Sequence, residues 1–351
     1  MLSFAEYVQQ AVAARASDIH VCTGYPLSMR VDGSVRGLTE EILTAEQADA
    51  LAREILNPVR EETLRTKGEV DFAHTCGGAR MRCNVYLECG NTAMAIRLLS
   101  DKVPRFETLG LPPGLLDMCD KKRGLVLVTG ITGSGKSTTL ASIVNAINER
   151  HDYHILTIEE PVEYIYPKGR SVINQREIGS DSQTFATALR AALRQDPDCI
   201  LLGEMRDVET ISTAITAAET GHLVLSTLHT VSAASAVDRI IDTFTPHQQQ
   251  QVRAQLADAL ECVVSQQLIP RADGSGRVVA CEVMGCNNAI RSLIREGKTY
   301  QIPNSMLSGK KQGMQLMDDA IYELYIRGKI SSENAIKYAQ DREAMGRKVI
   351  I

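Results

Sequence analysis

The eight residues GITGSGKS at 130–137 constrain the fold of this chain more than any other stretch. They follow the apolar run LVLVT and precede TTLASIVNAI, whose spacing predicts a helix. Glycines at such a turn let backbone N–H groups wrap around phosphate oxygens, and a lysine at the helix start supplies charge for the β- and γ-phosphates. Strand, loop and helix in this order predict a phosphate-binding loop rather than an ordinary glycine-rich turn.

The loop and the first helical turn supply the candidate nucleotide ligands. These are Thr132, Gly133, Ser134, Gly135, Lys136, Ser137 and Thr138. In this motif the lysine meets the β- and γ-phosphates, and the serine hydroxyl that follows it ligates Mg²⁺. We therefore expect ATP and Mg²⁺ as cofactors.

The sequence around this loop is typical of a parallel α/β sheet. Continuous apolar runs, separated by helical segments, lie at 125–130, 154–160, 199–204 and 222–227. Such runs indicate strands covered by helices on both faces. From about residue 245 onward we predict helix, because Val252, Leu256, Leu260 and Val264 keep helical spacing.

The N-terminal region has a different pattern, which predicts an α+β domain with its own small sheet. A first amphipathic helix and a helix over 45–66 are expected, together with strands at 17–22, 69–74, 80–86 and 92–99. A polar, proline-containing stretch follows. We therefore predict an N-terminal domain at 1–100, a linker at 101–117, a nucleotide-binding domain at 118–288 and a helical C-terminal region at 289–351.

Carboxylates follow two of the predicted parallel strands, at the edge where open α/β sheets bind ligands. Glu204 ends CILLGE and suits the acid on the Mg²⁺ side of a phosphate-hydrolysing site. Glu159, Glu160 and Glu163 end ILTIEEPVE and are candidates for activating the attacking water. Each could instead be a solvated carboxylate at a strand end.

Two histidines flank the apolar run in GHLVLSTLHT. In an extended strand, His222 and His229 are roughly 20 Å apart, so they cannot share one metal ion within a subunit. Only His229 lies at the phosphate side of the sheet. We expect it to sense the γ-phosphate, and His222 to be structural or to contact another subunit.

Arginines occur in two strands of the N-terminal region. Arg80 and Arg82 alternate with apolar residues in RMRCNVY, and Arg97 interrupts the apolar TAMAIRLL. A solvated strand face is the simpler interpretation, above all for Arg80. The alternative is that an arginine inside an apolar strand forms an ion pair with a phosphate from another domain or subunit.

Composition excludes several classes of protein. The formal net charge of −5 argues against a generally nucleic-acid-binding surface, and the nine cysteines include no paired zinc spacing. They are expected to be free thiols in a reducing cytosol. No apolar run approaches the length of a membrane span, and the N-terminus lacks the pattern of a secretory signal.

Several long motifs occur in an order that resembles a known family. They are SDIH (17–20), the phosphate-binding loop, TIEEPVEY (157–164), QREIG (175–179), ALRAALRQDPDCILLGEMRD (188–207), TAAETGHLVLSTLHT (216–230) and AIRSLIREGK (289–298). The chain resembles the secretion/type IV pilus ATPase superfamily over essentially its whole length. It is most similar to the type IV pilus retraction (twitching motility, PilT-like) ATPases.

The resemblance implies a PAS-like N-terminal domain, a RecA-like ATPase domain and a ring-shaped homohexamer. By position it makes Glu163 the catalytic glutamate and Glu204 the Walker B acid, while Lys136 and Ser137 bind nucleotide and Mg²⁺. It places His229 at the phosphate end of the nucleotide. It also brings Arg82 and Arg97 there from the N-terminal domain.

The function implied is a motor ATPase whose ATP hydrolysis powers pilus retraction by pilin depolymerisation. The expected partners are an inner-membrane platform protein and the pilus machinery, with no direct nucleic acid. The expected location is cytoplasmic, peripheral to the inner membrane. The alternatives are a secretion or DNA-translocation ATPase of the same superfamily, or a nucleotide-binding assembly scaffold without motor activity.

The sequence departs from the family pattern at two positions. Glu160 stands where the family more often has Asp, and Ile131 where it often has Pro. Neither change removes a functional group. Extension and secretion members usually carry an extra N-terminal domain and a tetracysteine zinc site, which this sequence lacks, and we therefore expect a retraction member.

Overall fold

The computed structural model describes residues 2–99 and 102–349. Contacts divide the chain into two compact units. The first comprises Met1–Val103, Glu160–Ile165 and Glu177–Asp181, and the second Pro104–Glu159, Tyr166–Arg176 and Ser182–Ile351. Two segments of the predicted 118–288 domain thus belong to the first unit. The predicted boundary between residues 100 and 101 lies outside the described residues, as does the end of the predicted 289–351 region.

The first unit is built on one antiparallel sheet. Its elements are α1 (Phe4–Ala13), β1 (Asp18–Val21), β2 (Pro26–Val31), β3 (Ser34–Ile42), α2 (Ala45–Arg53), α3 (Pro58–Lys67), β4 (Glu69–Cys76), β5 (Ala79–Glu88) and β6 (Asn91–Leu98). The strand order is β3-β2-β1-β6-β5-β4, so β3 and β4 are the edges. Strands β2 and β5 alternate buried residues with more exposed ones, and buried residues of both share one apolar core with Phe4, Leu51 and Ile96.

The helix predicted over 45–66 is two helices. Asn57 caps the second through a hydrogen bond from Arg60 N–H to its side chain, and Pro58 is the first helical residue. Proline lacks the N–H that a continuous helix needs and fits the first turn of a new one. The predicted helix is therefore interrupted before Pro58, where α3 begins.

The second unit contains a seven-stranded sheet in the order β13-β12-β7-β11-β10-β8-β9. Its strands are β7 (Gly124–Thr129), β8 (His154–Glu159), β9 (Val172–Glu177), β10 (Cys199–Leu202), β11 (Leu223–Leu228), β12 (Leu260–Pro270) and β13 (Arg277–Gly285). The pairs β12/β7, β7/β11, β11/β10 and β10/β8 are parallel. The four predicted apolar strands are confirmed, and every residue of β7 and β11 is buried.

Helices follow these strands along the chain. They are α4 (Lys136–Arg150), α5 (Phe185–Ala192), α6 (Val208–Glu219), α7 (Ala233–Asp242), α8 (Pro246–Ala259), α9 (Asn288–Arg295), α10 (Ile302–Ser308), α11 (Met317–Ile326), α12 (Ser332–Tyr338) and α13 (Arg342–Lys348). A separate apolar cluster joins α11 to α13 with β12 and β13. Within the described residues, no helix is long and apolar enough to cross a membrane.

The prediction of helix from about residue 245 onward is confirmed for α8 and for α9 to α13, but it was wrong for residues 260–285. Helix α8 ends at Ala259, and Leu260 and Val264 lie in β12, which pairs with β7 and β13. Apolar spacing of four residues fits a helix, but a fully buried strand carries apolar residues at those positions too. Pairing with β7 decides the structure.

The stretch predicted as a linker is packed rather than free. It forms 3-10 turns at Phe106–Thr108 and Pro113–Asp120. Phe106, Leu111 and Leu115 are buried in the main core of the second unit. The part of the predicted linker from residue 104 onward therefore belongs to that unit.

Candidate functional site

The phosphate-binding loop joins β7 to α4 in the second unit, as the sequence predicts. Gly135 precedes the helix in the left-handed conformation (φ 90°), which glycine adopts without a steric penalty. Lys136 is 9% exposed, and its Nζ donates to Gly130 O at 2.9 Å and Ile131 O at 3.1 Å. The ammonium is thus held across the mouth of the loop, next to the N-terminus of a 15-residue helix.

A glutamine from β12 sets the orientation of one loop peptide. Gln266 is 2% exposed, and its Nε2 donates to Ser134 O at 2.7 Å. Thr139 Oγ1 donates to Gln266 Oε1 at 3.0 Å, which fixes the amide orientation. Because a trans peptide points its C=O and N–H in opposite directions, holding Ser134 O turns the N–H of Gly135 away from Gln266.

Glu204 and His229 come together at the ends of β10 and β11. The Glu204 side chain is 14% exposed, its Oε1 lies 2.6 Å from Arg206 Nη2, and its Oε2 lies 3.7 Å from His229 Nε2. Thr227 Oγ1 donates to Gly203 O at 2.6 Å and ties the two strand ends together. Partial burial and the nearby Lys136 ammonium lower the pKa of His229, which favours the neutral imidazole.

The two histidines lie at opposite ends of β11, as predicted. His222 precedes the strand, and its Nδ1 lies 3.0 Å from Ala217 O at the end of α6. That hydrogen bond agrees with a structural role. In the described part of the chain, no three His, Cys, Asp or Glu side chains are arranged to hold a metal ion.

The three glutamates of IEEPVE belong to different units. Glu159 ends β8 in the second unit and accepts a hydrogen bond from Thr157 Oγ1 at 2.7 Å. Glu160 is exposed and Glu163 is half-buried, and both belong to the segment Glu160–Ile165 of the first unit. The candidate base Glu163 is therefore carried by the N-terminal unit.

The arginines of the first unit differ in their surroundings. The Arg97 side chain is 71% exposed and its Nε lies 3.1 Å from Asp18 Oδ1, so it lies on the solvated face rather than in an apolar strand interior. Arg82 is also exposed, and Asp71 raises its pKa through a hydrogen-bonded ion pair. Arg80, for which solvation was the simpler interpretation, is 17% exposed and pairs with Glu177.

The second-unit residues fit a nucleotide. A Cβ on Gly130 would lie 2.5 Å from both Gln266 O and Ser134 Oγ, so only glycine lets the loop close this tightly. Ser134 Oγ is buried without a hydrogen-bond partner among the described residues, as expected of a donor that awaits a ligand. The oxygens of Ser137 and Glu204 are hard ligands suited to Mg²⁺, which would neutralise phosphate charge there.

Sequence reasoning missed three residues whose side chains hold the loop, the segment before Glu163, and Glu204. Gln266 and Glu177 lie far from their partners along the chain, and no local pattern reveals them. Arg206 follows Glu204 by two positions, and that proximity was the available signal. The nine cysteines all lie within the described residues, where none of them forms a disulfide.

Comparisons with known proteins agree with this geometry. The family model described as "Type II/IV secretion system protein" matches residues 2–350. The chain is 44% identical over 326 residues to the "Type IV pilus retractation ATPase PilT" of Pseudomonas aeruginosa, covering 93% of this chain and 94% of that protein. It is 43% identical over 318 residues to the "Twitching motility protein" of Neisseria gonorrhoeae, covering 90% and 85%.

A solved structure described as the pilus retraction motor PilT with bound ADP matches the fold. Its TM-score is 0.92 with 44% identity, over 99% of this chain and 100% of that one. The match supports the α/β fold with mixed sheets and a nucleotide site. The chain therefore belongs to the Type II/IV secretion system protein family and, within it, to the type IV pilus retraction ATPases.

Proposed function

We propose that this chain is a motor ATPase whose ATP hydrolysis drives pilin depolymerisation, and hence pilus retraction and twitching motility. The observation that carries the proposal is the grouping of Lys136, Glu204 and His229 around the loop of a chain with 44% identity to a pilus retraction ATPase. In this proposal Lys136 binds phosphates, Glu204 supplies a carboxylate on the Mg²⁺ side, and His229 presents a neutral imidazole.

Each residue has a proposed role. Lys136 and the amides of Thr132 to Thr138 bind the β- and γ-phosphates. Ser137 and Glu204 hold Mg²⁺, the latter partly through water. Glu163 accepts a proton from the attacking water, and His229 senses the γ-phosphate. Arg82 and Arg97 stabilise the charge of the transition state.

We propose a PAS-like N-terminal domain for residues 1–100 and a RecA-like ATPase domain for 118–288, followed by the C-terminal region 289–351. Support for the first comes from its single antiparallel sheet, and for the second from its largely parallel one. The assembly is a homohexamer at the cytoplasmic side of the inner membrane. There it contacts the pilus machinery through an inner-membrane platform protein, without direct nucleic acid.

The test compares Lys136→Ala with the exposed Lys311→Ala in cells that lack the native gene. Lys136→Ala should abolish hydrolysis and leave cells piliated but unable to twitch, whereas Lys311→Ala should behave as the parent. Pili that still retract with Lys136→Ala would overturn the motor role. Loss of secretion or DNA transfer with normal twitching would identify a secretion or translocation ATPase, and a cellular phenotype without hydrolysis by the parent protein would identify a scaffold.

A further inference from the structure

The first unit contains a buried carboxylate with no direct part in the proposed chemistry. Glu177 is 8% exposed, although it ends a strand whose other residues are at least partly exposed. Its Oε1 accepts a hydrogen bond from Ala73 N–H at 3.2 Å, and its Oε2 accepts one from Val162 N–H at 3.2 Å. Ala73 lies on the edge strand β4. Glu177 therefore accepts hydrogen bonds both from a backbone N–H at the edge of the sheet and from a backbone N–H in the segment 160–165.

Arg80 completes the arrangement. Its Nε donates to Val162 O at 2.9 Å, and its Nη2 lies 3.5 Å from Glu177 Oε2. The N–H and the C=O of Val162 are therefore both bonded to the Glu177–Arg80 pair. The Val162 side chain is 4% exposed and anchors the same residue through packing.

These bonds fix the peptide that precedes the proposed base. The N–H of Val162 belongs to the Pro161–Val162 peptide, and its C=O belongs to the Val162–Glu163 peptide. Hydrogen bonds restrain both peptide planes, so the backbone orientation at Glu163 is fixed. Only the rotamers of the Glu163 side chain remain variable. All of these residues belong to the first unit.

We propose that Glu177 and Arg80 are positioning residues that hold Val162 so that Glu163 is presented to the attacking water. The proposal rests on the proposed role of Glu163. Neither Glu177 nor Arg80 contacts substrate in this assignment, and their effect on the reaction passes through Glu163.

The test is a double-mutant cycle on the full-length protein. Glu177→Gln keeps the shape of the side chain but replaces one accepting oxygen with an amide that donates, so one held N–H loses its partner. We expect kcat to fall about tenfold or more, while the affinity for a fluorescent ADP analogue stays within about twofold of the parent. Glu163→Gln should lower kcat strongly. Adding Glu177→Gln to it should cause no further loss.

The matched control is Thr75→Val, which removes a hydroxyl that Arg80 Nη1 contacts at 3.3 Å but leaves Val162 held. It should turn over at the parent rate. Hydrogen exchange at Val162 should accelerate in Glu177→Gln and not in Thr75→Val. Release of γ-labelled phosphate is sensitive enough to follow the residual hydrolysis of the Glu163 variants.

Additive losses in the cycle would show that Glu177 acts only through general stability and would overturn the proposal, as would a parent kcat for Glu177→Gln. Parent-rate hydrolysis by Glu163→Gln would instead remove the proposed base, and the positioning role with it. If Glu177→Gln fails to fold, Arg80→Lys takes its place in the cycle with the same expected outcomes. It keeps the charge towards Glu177 but lacks the Nε donor to Val162 O.

Discussion

Arg82 and Arg97 lie directly opposite each other on the neighbouring strands β5 and β6. Like charges at such a pair destabilise a sheet. Each guanidinium has its own carboxylate, since Arg82 Nε lies 3.1 Å from Asp71 Oδ2 and Arg97 Nε lies 3.1 Å from Asp18 Oδ1. Both guanidinium groups are exposed, so water and salt weaken the two ion pairs and an incoming phosphate can compete for either arginine.

We predict that Arg82→Ala and Arg97→Ala lower ATP turnover more than nucleotide affinity, because in the proposed mechanism both arginines stabilise the charge of the transition state. Arg30→Ala is the matched control, since Arg30 pairs with Asp18 from β2 at 3.7 Å. It should keep the parent rate. Steady-state hydrolysis and nucleotide titration measure the two effects. If Arg97→Ala hydrolyses ATP at the parent rate, Arg97 has no role in catalysis and only forms its ion pair with Asp18.

Glu204→Gln should retain ATP binding and lose most turnover, because an amide of the same shape cannot supply the carboxylate charge on the Mg²⁺ side. Glu209→Gln is its control, since Glu209 is exposed and pairs with Arg190. Phosphate release and binding of a fluorescent ATP analogue separate the two properties. Undiminished hydrolysis by Glu204→Gln would refute its assignment.

Gln266→Leu should weaken nucleotide binding, because the Ser134–Gly135 peptide loses the donor that orients it. A buried carbonyl left without a partner costs about 1–3 kcal/mol, so we expect affinity to fall roughly tenfold. Gln267→Leu, at the next position of β12, should have little effect. Calorimetric titration with ADP checks both variants. Equal affinities would mean that the loop holds its conformation without Gln266.

Leu293→Ala tests α9, which carries the AIRSLIREGK motif. Ile290 and Ile294 are fully buried while Leu293 is only partly so, and Arg291 Nη1 donates to Asp258 O at 2.8 Å, anchoring the helix to the end of α8. Because Leu293 is only partly buried, Leu293→Ala should leave a folded ATPase. We propose that α9 couples hydrolysis to retraction, and we therefore expect cells that are piliated but do not twitch. Ser292→Ala, on the exposed side, should twitch normally. Unfolding or normal twitching of Leu293→Ala would make the helix ordinary core packing.

Glu282 provides a prediction on pH. Burial raises the pKa of this carboxyl, which accepts a hydrogen bond from Ala233 N–H at 2.6 Å at the start of α7. A raised folded-state pKa means that the protonated form favours folding. The stability contributed by Glu282 is therefore complete below the ordinary glutamate pKa and decreases as pH rises through the raised value.

Glu282→Gln should remove this dependence. The difference in Tm between variant and parent should then shift in favour of the variant as pH rises from about 4 to 7. Differential scanning calorimetry across that range measures it, with the exposed Glu333→Gln as control. A difference that does not vary with pH would show that burial does not raise this pKa.

Local sequence was sufficient to predict the structure of segments whose conformation depends on neighbouring residues alone. The glycines and Lys136 predict the phosphate-binding loop because turn conformation and helix start depend on neighbouring residues. Continuous apolar runs predict β7 and β11 because burial on both faces leaves no alternation. The helix predicted through Leu260 and Val264 failed because the same spacing fits a buried strand.

The sequence by itself determined the nucleotide chemistry, the parallel sheet and the placement of Glu204 and His229 at one edge, because each follows from a short pattern. Only the tertiary structure decided that Glu177 holds Val162 and that Gln266 holds Ser134. Glu177 meets Ala73 across 104 residues of chain, and Gln266 meets Ser134 across 132. Such partners are selected by the packing of distant strands and by the cost of leaving buried polar groups unpaired, which no local pattern records.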